Sequence, residues 1–373
     1  MRAHPESVLH PFAGHAQAAA RELIGPMEPI TLLVVLSVLA VAAFDFTNGF
    51  HDTSNMVATL IASRALTPAQ AIAVIVTFGF AGPFVVGTAV ADTIGGFVQV
   101  ADLEPTLALG IILCGLGGAI GWNLITWRFG IPSSSSHALV GALCGAVLVS
   151  AGPGHILWGG TALKAGQFAG IAKVLAALMI SPALGLVVAF LLQRVLRFLL
   201  RRATPHANRG LRRAQWVTAA GIAFAHGTND AQKGMGVLTL VLLTGGVIDR
   251  FIVPDWVILL CATSLGLGTI VGGWRIVKTL GYGIYRIRPI HAFTSQLSSA
   301  GVILSAALVG GPVSTTQVVT ASIVGVGSAD HPRSVHWHKA REIAWTWLFT
   351  LPCAAILGAV LFGIVDLARS LGG

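Results

Sequence analysis

Long apolar stretches recur along this chain, among them "ITLLVVLSVLAVAAF", "AIAVIVTFGFAGPFVVGTAVA" and "IAKVLAALMISPALGLVVAFLLQ". Each approaches the roughly 20 residues that a bilayer-crossing helix needs, so the expected fold is an all-α polytopic membrane protein. Composition agrees: 55% of residues are hydrophobic and 10% charged, and the mean hydropathy is +0.81. The 45 glycines suit close helix packing and broken helices. The net charge of +9 resides in short loops between apolar stretches, where the positive-inside rule accounts for it and a nucleic-acid partner is not required. Cys114, Cys144, Cys261 and Cys353 lie within apolar stretches without a CxxC pair and read as small core residues. Residues 1–29 form a polar extension without the apolar core of a secretory signal, and Met27 offers a second translation start.

The chain also aligns with itself. A shift of 178 sets "NGFHDTSN" (Asn48 to Asn55) over "HGTNDAQK" (His226 to Lys233), with glycine and aspartate in register. A shift of 180 sets "PSSSSHALVGALCG" (from Pro132) over "PVSTTQVVTASIVG" (from Pro312). Two motifs recurring at nearly one offset mark a duplicated unit. The expected organisation is a first repeat at 30–200, a basic linker at 201–214 ("RRATPHANRGLRRA") and a second repeat at 215–373.

Loop charges orient the halves. Residues 92–105 carry Asp92, Asp102 and Glu104 without a base, whereas the equivalent 273–288 carries Arg275, Lys278, Arg286 and Arg288 without an acid. With the linker cytoplasmic, five crossings run through each half: 30–64, 69–90, 105–127, 134–150 and 169–198, then 215–246, 255–272, 291–310, 313–328 and 342–369. An odd number inverts the second repeat, an architecture common among secondary transporters. Both termini then lie outside. The 313–328 segment is short enough to be re-entrant. Trp127, Trp216, Trp256 and Trp274 fall at span ends and suit an interfacial belt.

The 30–64 and 215–246 segments are long and carry polar, glycine-containing motifs near their middles, the pattern of a discontinuous transmembrane helix. "PSSSS" and "PVSTT", proline followed by hydroxyl residues, suit helix starts. Four helix N-termini are therefore expected to meet near the midplane as an anion site. Asp52 and Asp230 stand in the same motifs, and a carboxylate there costs roughly 2.5–3.5 kcal/mol on insertion scales. Their expected use is to bind a cation or proton travelling with the anion. Lys233 is placed to pair with Asp230 or contact substrate. Asn48, Asn55 and Asn229, with Ser134, Ser135, Ser136, Thr315 and Thr316, suit hard cations and oxyanions alike. Asp45, two turns before Asp52, is a further ion-coupling candidate or an interfacial group. Ser133 and His226 read as packing residues. His51 and His137 stand without exact counterparts, since Asn229 and Gln317 replace them. The His331, His336 and His338 group reads as a solvated face rather than a metal site, and Arg286 and Arg288 as topology charges.

These residues resemble the inorganic phosphate transporter (PiT) family, in particular its bacterial low-affinity phosphate symporters. "FDFTNGFHDTSNMVATLIASRAL", "PSSSSHALVGAL", "AHGTNDAQKGMG", "RPIHAF" and "GGPVSTTQVVTASIVGVG" follow the order and spacing of its signature blocks over most of residues 30–369. The resemblance implies a secondary active transporter of the cell inner membrane, not an enzyme. It would import inorganic phosphate with a proton or sodium, or as a metal–phosphate complex, by alternating access and without a cofactor. It further implies phosphate and ion sites at Asp52, Asn55, Ser134, Ser135, Ser136, Asp230, Lys233, Ser314, Thr315 and Thr316. The lipid bilayer, a homodimer and a PhoU-like cytoplasmic regulator are the partners it admits. Gln317 stands where the family usually has histidine, and Gln296 where an acidic residue is frequent; these two positions depart from the family pattern, and with Asp45, Asn48, His51 and Asn229 they make up the ion-coupling candidates. The nearest alternative is a sulfate or other oxyanion permease. An intramembrane hydrolase built on Ser133 and His137, spaced i,i+4, and a passive anion channel are the other classes.

Overall fold

The computed structural model describes residues 28–372; the rest of the N-terminal extension, with Met27, lies outside the described residues. The chain is built of helices α1 (Pro29–Ala62), α2 (Pro68–Ala81), α3 (Pro83–Val86), α4 (Ala89–Gly95), α5 (Pro105–Phe129), α6 (Ser135–Ser150), α7 (Gly160–Lys164) and α8 (Gly170–Leu199). The second half follows with α9 (Ala207–Thr244), α10 (Asp255–Val271), α11 (Trp274–Tyr282), α12 (Pro289–Leu308), α13 (Thr315–Asp330) and α14 (Trp337–Gly372). The linker predicted at 201–214 is already helical from Ala207.

Local chemistry sets many of these boundaries. Proline at the first helical position starts α1, α2, α5 and α12, where its missing N–H costs nothing. Thr67 and Gln70 form a capping box on α2, and Glu104 accepts from the Thr106 and Leu107 amides at 3.0 and 2.9 Å to cap α5. Gly130, at φ 67°, closes α5 in the left-handed conformation. Ser134 and Ser314 cap α6 and α13, as the "PSSSS" and "PVSTT" motifs predict, by accepting from the amides of His137 (3.2 Å) and Gln317 (3.3 Å).

The two halves repeat one order of elements and pack by exchange. α6 packs on α14 while its counterpart α13 packs on α8; α1 packs on α10 while α9 packs on α2; α1 packs on α5 while α9 packs on α12. Each of these pairings has a partner with the halves swapped, in keeping with an inverted duplication.

Among the described residues, five helical segments are long and apolar enough to cross a bilayer: α1, α2 with α3, α5, α8 and α14; α10 and α11 make a sixth if their 73° bend interrupts one span. Four of the ten predicted crossings, α6, α9, α12 and α13, fall outside that set. At 16 residues α6 and α13 reach about 24 Å, short of a hydrocarbon core of about 30 Å, so both are of re-entrant length rather than 313–328 alone. α9 and α12 are long enough but carry much of the polar interior, so hydropathy hides them.

The breaks are not where the sequence places them. α1 runs unbroken through "NGFHDTSN" and α9 through "HGTNDAQK". The broken helices are the second of each repeat: α2–α3–α4, interrupted at Gly82 and Gly87, and α10–α11. Gly49 and Gly227 are points of close approach rather than breaks. A Cβ at Gly49 would lie 2.9 Å from the carbonyl carbon of Leu265 on α10, and one at Gly227 would lie 2.6 Å from the carbonyl carbon of Gly79 on α2. The polar residues stay helical because other helices, not lipid, surround them: from Phe44 to Leu60 only Phe46 and Phe50 escape full burial, and Ala225 to Leu242 are all buried. Consequently two helix N-termini, not four, reach the centre. Of the cysteines, Cys114 and Cys261 are buried, Cys144 and Cys353 half-buried, and all four are free thiols.

Candidate functional site

α1 and α9 bring their paired motifs together at the start of α13. Asp52 on α1 accepts hydrogen bonds from the Thr315 hydroxyl at Oδ2 (3.0 Å) and from the Thr316 hydroxyl at Oδ1 (3.1 Å). Asp230 on α9 faces the same Thr315 hydroxyl at 3.4 Å and receives the Lys233 ammonium at 2.6 Å. One hydroxyl therefore stands between two carboxylates from mirror-related helices. Lys233 also donates to the Val313 carbonyl (3.1 Å), and Asn55 donates to Thr316 (2.9 Å). Asn48 approaches Asp230 at 3.5 Å. Asp52, Asn55, Asp230, Lys233, Thr315 and Thr316 thus form one buried constellation in which every member is at most 2% exposed.

The two short helices meet start to start. Ser136, in the first turn of α6, donates to Val313 O at 2.9 Å, and Gln317 of α13 lies 3.4 Å from His137 of α6. Their free N–H groups and positive dipole ends thereby face the same centre. Ser134 and Ser314 serve as caps, with Ser134 also 2.8 Å from His137 Nδ1, while the buried Ser135 hydroxyl has no partner among the described residues.

The remaining predicted residues surround this core. His51 Nδ1 contacts Asp52 Oδ1 at 2.8 Å; a carboxylate only accepts, so Nδ1 carries the proton and Nε2 turns to the hydroxyls of Ser133 (3.3 Å) and Thr126 (3.4 Å). His51 ties Asp52 to α5 and the start of α6. The Ser133–His51–Asp52 chain has the connectivity of a hydrolase triad, yet the Ser133 hydroxyl donates to Thr126 at 2.8 Å and all three are buried. His137, expected to touch Ser133, contacts Ser134 instead. Asn229 spends its side chain on the backbone ahead of α13, donating to Gly311 O (3.1 Å) and accepting from Val313 N (3.3 Å). Gln296 does not join the central group: it donates to Thr59 (2.8 Å) and accepts from Thr218 (2.6 Å), further along α1 and α9. Asp45 is fully buried and packed onto Gly234, where a side chain could not fit, and among the described residues neither of its oxygens has a hydrogen-bond partner.

One residue that reads as mere packing in sequence joins the site. His226 lies 3.4 Å from Asp230, and atoms of Asp52, His226 and Asp230 fall within 4.8 Å of one another, a geometry able to hold a metal ion. Its register opposite Asn48 in the repeat, one turn before Asp230, is the signal available in the sequence. His331, His336 and His338 are exposed, as expected of a solvated face.

A sequence profile described as the phosphate transporter family matches residues 48–211 and again 201–358. The chain belongs to the phosphate transporter family. A Bacillus subtilis (strain 168) protein described as "Probable low-affinity inorganic phosphate transporter" is 40% identical over 346 residues, covering 91% of this chain and 99% of its own. A Rhizobium meliloti (strain 1021) protein of the same description is 38% identical over 338 residues, covering 90% and 97%. The solved structure of "The sodium-dependent phosphate transporter" superposes with a TM-score of 0.78 at 23% identity, over 90% of this chain and 99% of that one. The family is one of membrane transporters rather than enzymes, and the resemblance drawn from the sequence motifs holds.

Proposed function

We propose that this member of the phosphate transporter family is a secondary active importer that carries inorganic phosphate with a cation across the cell inner membrane by alternating access. The observation that carries this reading is the Thr315 hydroxyl held between Asp52 and Asp230, beside Lys233, where two helix starts converge. Hydrogen phosphate keeps a P–OH that one of these carboxylates can accept, while its other oxygens take Lys233 and the hydroxyl and amide donors. Sulfate has no such proton to give, and a site built on that bond rejects an analogue lacking it. The second carboxylate is left for the coupling cation.

The neighbouring imidazole argues about which cation. The Asp52, His226 and Asp230 trio suits a proton, or a divalent metal carried as cargo with phosphate, better than sodium, which prefers oxygen ligands. Sodium is the second reading, favoured by the unpartnered carbonyl oxygens of Asn48 and Asn55 and by the description of the structural neighbour. The basic linker and the Arg64, Arg288 and Arg333 loops are assigned to the cytoplasm by the positive-inside rule, with both termini outside.

Uptake of labelled phosphate into proteoliposomes under imposed proton or sodium gradients, with and without divalent metal and with excess sulfate as competitor, tests all of this. Uptake indifferent to both gradients would reduce the protein to a passive pathway, and competition by sulfate as strong as by phosphate would remove the selectivity argument.

A further inference from the structure

A cavity of about 1000 Å³ opens at one end of the bundle, where α1 ends and α9 begins. Its wall gathers Arg64, Arg212, Arg286, Arg288, Arg333 and His336 from four separate stretches of chain, and among the described residues no carboxylate lines it. Among the described residues none of these arginines forms an ion pair. Topology alone would ask only that basic residues lie on this side, scattered over loops. Convergence of guanidinium groups on one concave surface is a different property, suited to the fork geometry of phosphoryl oxygens and able to focus the field on an anion.

A further observation points inward from this cavity. Arg64 itself closes α1 in the left-handed conformation, at φ 56°, with the Ala65 amide donating to Leu60 O at 3.0 Å, and this helix ending sets Arg64 at the cavity wall. From Arg64's neighbour Ser63 a polar file then runs along one face of α1, through Thr59 and Asn55 to Asp52, at the three- and four-residue spacing that keeps side chains on one side of a helix. Each step is buried and bridged: Ser63 donates to Gln215 (2.7 Å), Gln296 donates to Thr59 (2.8 Å), and Asn55 donates to Thr316 (2.9 Å). The file consists of neutral hydroxyl and amide groups, with full charges only at its two ends.

We infer that the arginine-lined cavity is a second phosphoryl-anion site, the mouth at which phosphate docks on the arginine-rich side before or after passing along the α1 file. This inference rests on the reading of the protein as a phosphate carrier, and its ligand chemistry, a phosphoryl group on guanidinium, is shared by free phosphate and by anionic lipid headgroups.

The test is equilibrium binding of radiolabelled inorganic phosphate to the purified full-length protein in phosphatidylcholine nanodiscs. Asp52→Asn removes the central carboxylate and should leave a weak, salt-sensitive binding component. Adding Arg286→Gln and Arg288→Gln to that background should lower its affinity at least tenfold, and the independent pair Arg64→Gln with Arg333→Gln should do the same. Monodisperse elution of each variant shows that it is folded. Repeating the titration with phosphatidylglycerol in the nanodisc separates the sources: displacement of phosphate assigns the site to a lipid headgroup, and no displacement assigns it to phosphate in transit. Loss of all binding in Asp52→Asn, or binding indifferent to both arginine pairs, overturns the second site. Failure of the wild type to take up phosphate would instead overturn the carrier reading, while arginine-dependent binding would survive it.

Discussion

Gly49→Ala separates a continuous α1 from a broken one. In an unhindered helix interior the change is favourable, since alanine exceeds glycine in helix propensity by about 1 kcal/mol. Here the new Cβ would lie 2.9 Å from the Leu265 carbonyl carbon and 3.2 Å from its Cα. Carbon pairs settle at about 3.5–4.0 Å, so α10 must retreat by roughly 0.6 Å or more. It cannot slide past, because Gly268 lies against the backbone of Phe46 and Phe50 in the same interface. Overpacking of this kind costs about 1–3 kcal/mol. With the strain at the upper end, the net loss is about 2 kcal/mol. Gly121, a helical glycine of α5 with nothing within 4 Å of its would-be Cβ, is the internal control: Gly121→Ala should be neutral or stabilising by up to about 1 kcal/mol. The assay is the midpoint of heat-induced loss of the monodisperse peak in detergent, paired with phosphate uptake. Since Gly49 lies one turn from Asp52, uptake should fall along with stability. Gly49→Ala at or above the wild-type midpoint, or Gly121→Ala as damaging as Gly49→Ala, would refute the close-approach account.

Three other outcomes follow from the site geometry. Lys233→Met should destabilise the protein by about 3–5 kcal/mol by leaving Asp230 charged, buried and without its cation, whereas Asp230→Asn with Lys233→Met should regain most of that stability without regaining uptake; equal thermal midpoints for the two variants would contradict the pairing. Thr315→Val removes the hydroxyl shared by the two aspartates, and losing a hydrogen bond to a charged group, worth about 1.5–3 kcal/mol, should weaken phosphate binding at least about tenfold. Thr315→Ser should keep binding near wild type, and a serine variant as weak as valine would show that the hydroxyl is not what matters. Asp52→Asn and Asp230→Asn should each lower uptake in proteoliposomes, and at least one should shift its dependence on pH or cation; normal transport by both would remove them from the site.

Much of this site is legible along the chain because the duplication repeats its chemistry. Asp52 with Asp230, and "PSSSS" with "PVSTT", stand out as polar residues recurring at one offset inside apolar surroundings. Proline and hydroxyl residues mark the starts of α6 and α13 because capping is a local interaction between a side chain and amides three residues on. His226 was hidden because its part depends on a carboxylate 174 positions earlier, Asp52, arriving beside it. Gln296 suggested a place at the centre by its position in the family pattern, yet its partners Thr59 and Thr218 hold it nearer the arginine-lined cavity.

A helical membrane protein, duplicated with its halves inverted, is legible from the residues alone, and so is the set of polar residues too costly in a bilayer to be incidental. Those properties follow from transfer energies and periodicity, which act on each stretch separately. That α1 and α9 pass unbroken through their polar motifs depends instead on how the helices pack. Glycine followed by polar residues is equally compatible with a helix break and with a crowded crossing, and the choice depends on whether a carbonyl from another helix, Leu265 on α10 or Gly79 on α2, occupies the space a side chain would have filled.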